Sequence, residues 1–212
     1  MVDKKKVEAA VKTALAEKGE RKFKQSLELA VNFKDLDFKK PENRLNLDVI
    51  LPVAPRKVKI AVFADTQLAL DAKNAGADLV ISGEQIKMYA SDKKKQKELL
   101  EYRFLAAPQL MVEVGKSLGQ VLGTRGLLPK PIPPGSNLKA LIENARRTVN
   151  VKTKGKYLPT IHVIFGNEEL PVEQLSDNAF SLLESIENKV GQPAVRSVFV
   201  KSTMGKPVRV SN

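Results

Sequence analysis

The chain offers little that could make or break covalent bonds. Among its 212 residues there is no cysteine and a single histidine, His162. Without thiols there is no disulfide, thiolate metal site or cysteine nucleophile. One imidazole alone cannot complete an ordinary zinc site. His162 stands between Ile161 and Val163-Ile164, which reads as a strand residue facing a polar surface or edge, not as a general base. Gly115, Gly119, Gly123 and Gly126 suggest a nucleotide loop, but neither GxGxxG after a first strand nor GxxxxGK followed by Ser or Thr is present. An α/β enzyme acting on a nucleotide or sugar phosphate stands only as the alternative reading.

Non-covalent chemistry is better supplied. Thirty-six Lys and Arg against 24 Asp and Glu leave a formal charge of +12. An excess of that size favours a polyanionic partner, because each neutralised phosphate releases condensed counterions. Lys4-Lys5-Lys6, and Lys93-Lys94-Lys95 with Lys97, read as solvated helix faces. Aromatic residues make up only 5% and no aromatic RNA-binding motif occurs, so a base-stacking platform is not the expected mode. The run Val198-Phe199-Val200-Lys201-Ser202-Thr203-Met204-Gly205 is different. A strand ends there in small hydroxyls, one flexible apolar side chain and a glycine. Hydroxyls can exchange hydrogen bonds with ribose 2′-OH groups, Met packs on sugar faces, and Gly exposes its amide. By its residues alone the run reads first as a plain strand-to-hairpin turn.

These residues must be positioned by regular elements. Val7, Ala10, Val11, Ala14 and Leu15 recur at helical spacing. From Phe23 to Phe33 the period becomes two, with Phe23, Leu27, Leu29, Val31 and Phe33 on one side and Lys24, Ser26, Glu28 and Asn32 on the other. A second alternating strand follows, with Leu45, Leu47, Val49 and Leu51 opposing Asn46 and Asp48. Together they predict an antiparallel sheet with one face open to water or a partner. After Pro55 strands and helices alternate, beginning with the apolar run Val58 to Phe63, as in a doubly wound, mostly parallel sheet. The helix beyond Pro108 is expected to run through Leu118 before the glycine-rich segment, and a last helix spans Leu138 to Thr148. From about Tyr157 a strand, an amphipathic helix over Val172 to Asn188 and the strand Val195 to Thr203 return to the first texture.

The predicted fold is a two-domain α/β chain. Residues 1–60 and 157–212 form a discontinuous α+β domain whose antiparallel sheet is built from both termini. Residues 61–156 form an inserted Rossmann-like α/β domain. Three consecutive small domains are the rival, disfavoured because the last segment would be marginal alone. Residues 1–60 carry 15 Lys and Arg against 9 Asp and Glu, residues 61–156 carry 16 against 9, and the final segment 5 against 6. Charge therefore does not choose between the domains. The Lys-rich start lacks the apolar core of a secretory signal, and no run is long enough to span a bilayer. A soluble protein of the reducing cytosol is expected.

Ser197-Val198-Phe199-Val200-Lys201-Ser202-Thr203-Met204-Gly205, with Val208-Arg209-Val210 after it, resembles the C-terminal signature of the L-one family of ribosomal proteins. Arg21-Lys22-Phe23-Lys24-Gln25-Ser26-Leu27-Glu28-Leu29 looks like that family's first-strand motif. Asn74-Ala75-Gly76-Ala77-Asp78, Gly123-Thr124-Arg125-Gly126-Leu127-Leu128-Pro129 and Leu175-Ser176-Asp177-Asn178 fall in the family's order. The likeness covers essentially the whole chain and is closest to the archaeal branch.

The resemblance implies a non-catalytic component of the large ribosomal subunit, in the mobile stalk beside the tRNA exit site. Its partners would be large-subunit rRNA, its own mRNA, which it would repress, and the exit-site tRNA whose release it would assist. It implies a cytoplasmic ribosomal location, no membrane, no cofactor and a monomer when free. The RNA-binding residues carried over are Phe23, Lys24, Ser26, Glu28, Ser197, Thr203, Met204 and Gly205. Lys154, Lys156 and Arg125 are secondary candidates. Bacterial members have Thr where this chain has Ser26, so the hydroxyl is kept. Phe23 holds a tension, since alternation puts it on the apolar face and the family at the RNA surface.

Overall fold

A computed structural model describes residues 3–153 and 158–210. In chain order the elements are α1 (Lys4–Ala16), β1 (Ser26–Phe33), β2 (Asn46–Ile50), β3 (Lys59–Phe63), α2 (Thr66–Asn74), β4 (Leu79–Ile81), α3 (Gly83–Ser91) and α4 (Lys93–Leu99). There follow β5 (Tyr102–Ala106), α5 (Met111–Thr124), β6 (Lys130–Pro131), α6 (Leu138–Arg147) and β7 (Thr148–Lys152). The last are β8 (Thr160–Asn167), α7 (Val172–Val190), β9 (Val195–Ser202) and β10 (Val208–Val210). They pack as two units, Met1–Arg56 with Arg147–Asn212, and Lys57–Arg146. No helix among the described residues is long and apolar enough to cross a membrane.

In the first unit a four-stranded antiparallel sheet has the order β10-β9-β1-β8. Leu27, Leu29 and Val31 of β1, Val198 and Val200 of β9 and Ile161, Val163 and Phe165 of β8 are buried on one face. They share a core with Val7 and Val11 of α1 and with Leu175, Ala179, Leu182 and Ile186 of α7. The other face carries no helix residues in that core and is the one with the polar alternates. A bulge lies opposite the start of β1, where Leu27 faces Gly166 but Glu28 faces Ile164. Phe165 is therefore an extra residue, which increases the local twist and lets Phe165 and Gly166 both be buried. A Cβ at Gly166 would lie 2.2 Å from Leu175 Cδ2, so glycine is what lets α7 approach this strand.

Three expectations are corrected here. The strand does not begin at Phe23. It begins at Ser26, because the chain bends at residues 22–23 and Lys24 and Gln25 are held by side-chain contacts outside the strand. The second alternating segment does not pair with the first. β2 instead forms a separate two-stranded antiparallel sheet with β7, in the register Leu47↔Val151 and Val49↔Val149. The segment after α6, expected to lie in the inserted domain without a strand of its own and with Thr148 as the end of the helix, is the strand β7. Its Val149 and Val151 alternate with Asn150 and Lys152, a period that five residues beside a strong helix conceal. The observed division accordingly falls after Arg146, not after residue 156, and the other crossing lies after Arg56.

The second unit has a parallel sheet in the order β4-β3-β5-β6. Its faces are covered separately. Ala61, Phe63 and Phe104 pack with Ile86 of α3 and Val114, Leu118 and Leu122 of α5. Ile60, Val62 and Leu105 pack with Ala72 of α2 and Leu138 and Ile142 of α6. The helix expected to end near Leu118 continues to Thr124, since Gly119 and Gly123 cost helix stability but do not break it while Leu118 and Leu122 stay buried.

Candidate nucleic-acid interface

The open face of the first unit's sheet follows from its register. Glu28, Ala30 and Asn32 of β1 lie opposite Lys201, Phe199 and Ser197 of β9, and opposite Ile164, His162 and Thr160 of β8. Arg209 of β10 pairs with Phe199. His162 is thus an exposed member of a cross-strand row, as a surface strand residue should be. Across three strands the Thr160 hydroxyl donates to Asn32 Oδ1, and Asn32 Nδ2 donates to Ser197 Oγ at 2.9 Å. Ser197 therefore sits at one end of β1 and is held there.

At the other end β1 meets the loop after β9. Ser26 O accepts both the Thr203 N–H, at 3.0 Å, and the Thr203 hydroxyl, at 3.1 Å. The hydroxyl proton is thereby committed to the main chain, and its lone pairs remain free to accept. Met204 N donates to Gln25 Oε1 at 3.0 Å, and Gly205 N donates to Ser202 O at 3.0 Å. Gln25 is only 1% exposed, and its Nε2 reaches back to Lys18 O at 2.9 Å. Below the loop the buried Ser202 hydroxyl donates to Ala14 O at 3.0 Å, tying the loop to the end of α1. A Cβ at Gly205 would come within 3.0 Å of Ser202 Oγ and 3.2 Å of Ser202 Cβ, so a larger residue would push on that anchor. Ser26, Thr203, Met204 and Gly205 are one hydrogen-bonded junction, assembled from residues 177 apart in sequence.

The remaining candidates divide. Phe23 is 53% exposed and Met204 59% exposed. Phe23 thus lies off the apolar face where alternation placed it, because it precedes the strand. Glu28 is half-buried on the open face, and its carboxylate forms no ion pair or hydrogen bond among the described residues. Lys24 is ion-paired with Glu169, whose hydrogen bond and charge raise the lysine above its ordinary pKa. Its charge is thus partly spent within the protein. Arg125 caps the C-terminus of α5 in the second unit, exposed and apart in the chain from the junction. Lys154 and Lys156 lie outside the described residues.

In the second unit a cleft of about 540 Å³ opens at the C-terminal ends of the parallel strands, where α/β proteins bind nucleotides. Asp65, Glu84 and Glu113 line it with only Lys87 opposing them. Three carboxylates make a poor cradle for phosphate. Among the described residues no group of His, Asp and Glu is placed to hold a metal ion.

The Ribosomal protein L1p/L10e family model matches residues 11–206. The chain belongs to this family. The large ribosomal subunit protein uL1 of Archaeoglobus fulgidus is 43% identical over 216 residues, covering 99% of each chain. That of Thermofilum pendens is 45% identical over 210 residues, covering 97% of this chain and 92% of its own. Thermococcus kodakarensis has a uL1 protein 41% identical over 214 residues, covering 98% of each. Members of the L1p/L10e family are structural ribosomal proteins and not enzymes, so the enzyme alternative is set aside.

Within this family member, sequence reasoning overlooked four supporting residues. Gln25 shapes the junction from beneath, Asn32 and Thr160 hold Ser197, and Glu169 pairs with Lys24. Gln25 and Glu169 carry no periodic signal, because both lie outside the strands. Asn32 stood visibly on the polar side of β1, and only its partners were missing.

Proposed function

We propose that this chain is a component of the large ribosomal subunit that binds large-subunit rRNA through the junction of β1 and the loop Thr203–Gly205. The proposal extends to the mobile stalk beside the tRNA exit site, where the protein assists release of deacylated tRNA. It extends also to repression of its own mRNA through a similar RNA structure at the same surface. The protein acts as a cytoplasmic monomer before assembly. Support comes from the near full-length similarity to proteins named as large-subunit components.

The observation that carries the RNA reading is the pair of hydrogen bonds that the Thr203 N–H and hydroxyl donate to Ser26 O. It fixes an acceptor oxygen at an exposed position beside a free carboxylate, Glu28. Both suit donors that RNA displays at close range, ribose 2′-OH and base amino groups. Phe23 and Met204 offer apolar contact to sugar faces, and Gly205 allows backbone approach. Such a site reads shape and hydroxyls more than charge.

The test is filter binding of the intact chain to archaeal large-subunit rRNA against small-subunit rRNA, with Thr203→Val as the variant. Preference for the large-subunit transcript is expected. The variant should lose about 1–3 kcal/mol, roughly 5- to 100-fold, if its oxygen is desolvated against RNA. Its folding should change little, because Ser26 O keeps the Thr203 N–H. Equal binding of both RNAs, or an unchanged constant for the variant, would refute the reading.

A further inference from the structure

The second unit has a charge distribution that its fold does not explain. Lys57–Arg146 holds 14 Lys and Arg against 9 Asp and Glu. Four of those cations are Lys93, Lys94, Lys95 and Lys97, so the rest of the unit is nearly balanced at ten against nine. Its positive excess is concentrated in one helix, α4. Lys93, Lys94 and Lys97 are exposed, and none of the four lysines enters an ion pair among the described residues. Lys95 Nζ instead lies 5.5 Å from the centre of the Tyr89 ring on the preceding helix.

The placement also runs against helix stability. Lys93, Lys94 and Lys95 occupy the first turn of α4, which contains no acidic residue, where the helix dipole disfavours positive charge. Asp92 alone compensates, its carboxylate accepting from Lys94 N at 2.8 Å. Neighbouring ammonium groups repel one another as well. A fold optimised for itself would place carboxylates there. An external polyanion relieves both penalties, and flexible lysines suit a phosphate backbone because they act as point charges without demanding one geometry.

We infer that the α4 corner, Lys93, Lys94, Lys95 and Lys97 over Tyr89, is a second, electrostatic contact with the phosphate backbone of RNA. It rests on the RNA-binding reading above and adds to it a contact in the other unit. The two contacts do different work. The junction around Thr203 discriminates between RNAs, while the α4 corner adds affinity without sequence preference.

The experiment titrates salt against binding of the full chain to a complete large-subunit rRNA transcript. It compares the wild type with a triple variant, Lys93→Gln, Lys94→Gln and Lys97→Gln. Each lost phosphate contact should flatten the slope of log K against log salt by roughly 0.7–0.9. The triple variant is expected to lose about 2–3 in slope and tenfold or more in affinity at 0.1 M salt. Its preference for large-subunit over small-subunit rRNA should be retained. Its thermal midpoint should be unchanged or higher, an outcome opposite to that of damaged packing. Arginine at the same three positions should restore the slope. A triple variant with wild-type slope and affinity would overturn the inference while leaving the RNA reading intact. A slope lost in the arginine variant too would likewise overturn it. Failure of the wild type itself to bind would instead refute the RNA reading, and this inference with it.

Discussion

Gln25→Leu is the sharpest perturbation of the junction that leaves every exposed candidate in place. The side chain is buried and makes two bonds, Nε2 to Lys18 O at 2.9 Å and Oε1 from Met204 N at 3.0 Å. Leucine has nearly the same volume, so no large cavity opens. Each hydrogen bond contributes roughly 0.5–1.5 kcal/mol net, and partly buried partners left unpaired add to the loss. The total destabilisation is expected to be about 2–3 kcal/mol. The two bonds act at different places. The Lys18 bond holds the turn after α1, whereas the Met204 bond holds the loop that would face RNA. Roughly 1 kcal/mol should therefore appear as looser loop order, which is about fivefold in an equilibrium constant. Hydrogen exchange of the Met204 amide should speed by about that factor, and filter binding to large-subunit rRNA should weaken similarly. The loop keeps its Thr203 and Gly205 bonds, so binding should be reduced and not abolished. Unchanged Met204 exchange together with unchanged affinity would show that Gln25 does not organise this surface.

Gly166→Ala should destabilise the first unit by about 1–3 kcal/mol or more, since the new methyl would lie 2.2 Å from Leu175 Cδ2 and 3.3 Å from Leu170 Cδ1. Calorimetry would read it as a lowered midpoint, and an unaltered one would mean that α7 yields without cost. Glu169→Gln should release Lys24 for phosphate, steepening the salt dependence of RNA binding by up to about 1; an unchanged slope would exclude Lys24 from the interface. The Lys24–Glu169 pair should persist across neutral pH. A raised lysine pKa is a favourable contribution that is complete below the ordinary value of 10.5 and lost only as pH climbs through the raised one. RNA affinity should therefore not change between pH 6 and 8 on account of this pair, as filter binding would report.

Much of the architecture can be read from periodicity. β1, β8, α7 and β9 occur near where alternation or helical spacing places them, because each buries a stripe against a shared core. The errors fall where local signals are short or ambiguous. The residues of β7 stand beside a strong helix that is expected to include Thr148, and the few that remain are too short a run to declare a strand. Phe23 extends an alternating pattern by parity alone, although the ladder starts three residues later. The glycine-rich segment conceals the last turns of α5, which the buried Leu122 keeps helical.

The candidate site shows the same division. Residue types marked Thr203, Met204 and Gly205 as suited to close contact, and the family resemblance alone pointed to Ser26 and Glu28 as their companions. The chain by itself determined which residues of β1 share a face, since side chains in a strand alternate whatever its partner. It could not determine which strand lies alongside. That is decided by backbone hydrogen bonds between distant segments and by the core they jointly bury, and only the folded sheet puts β9 beside β1 in the register that brings Thr203 onto Ser26 O. The same long-range closure places buried Gln25 beneath Met204 and denies β2 to β1. A period of two fixes a side of the strand, and only tertiary packing chooses the neighbour.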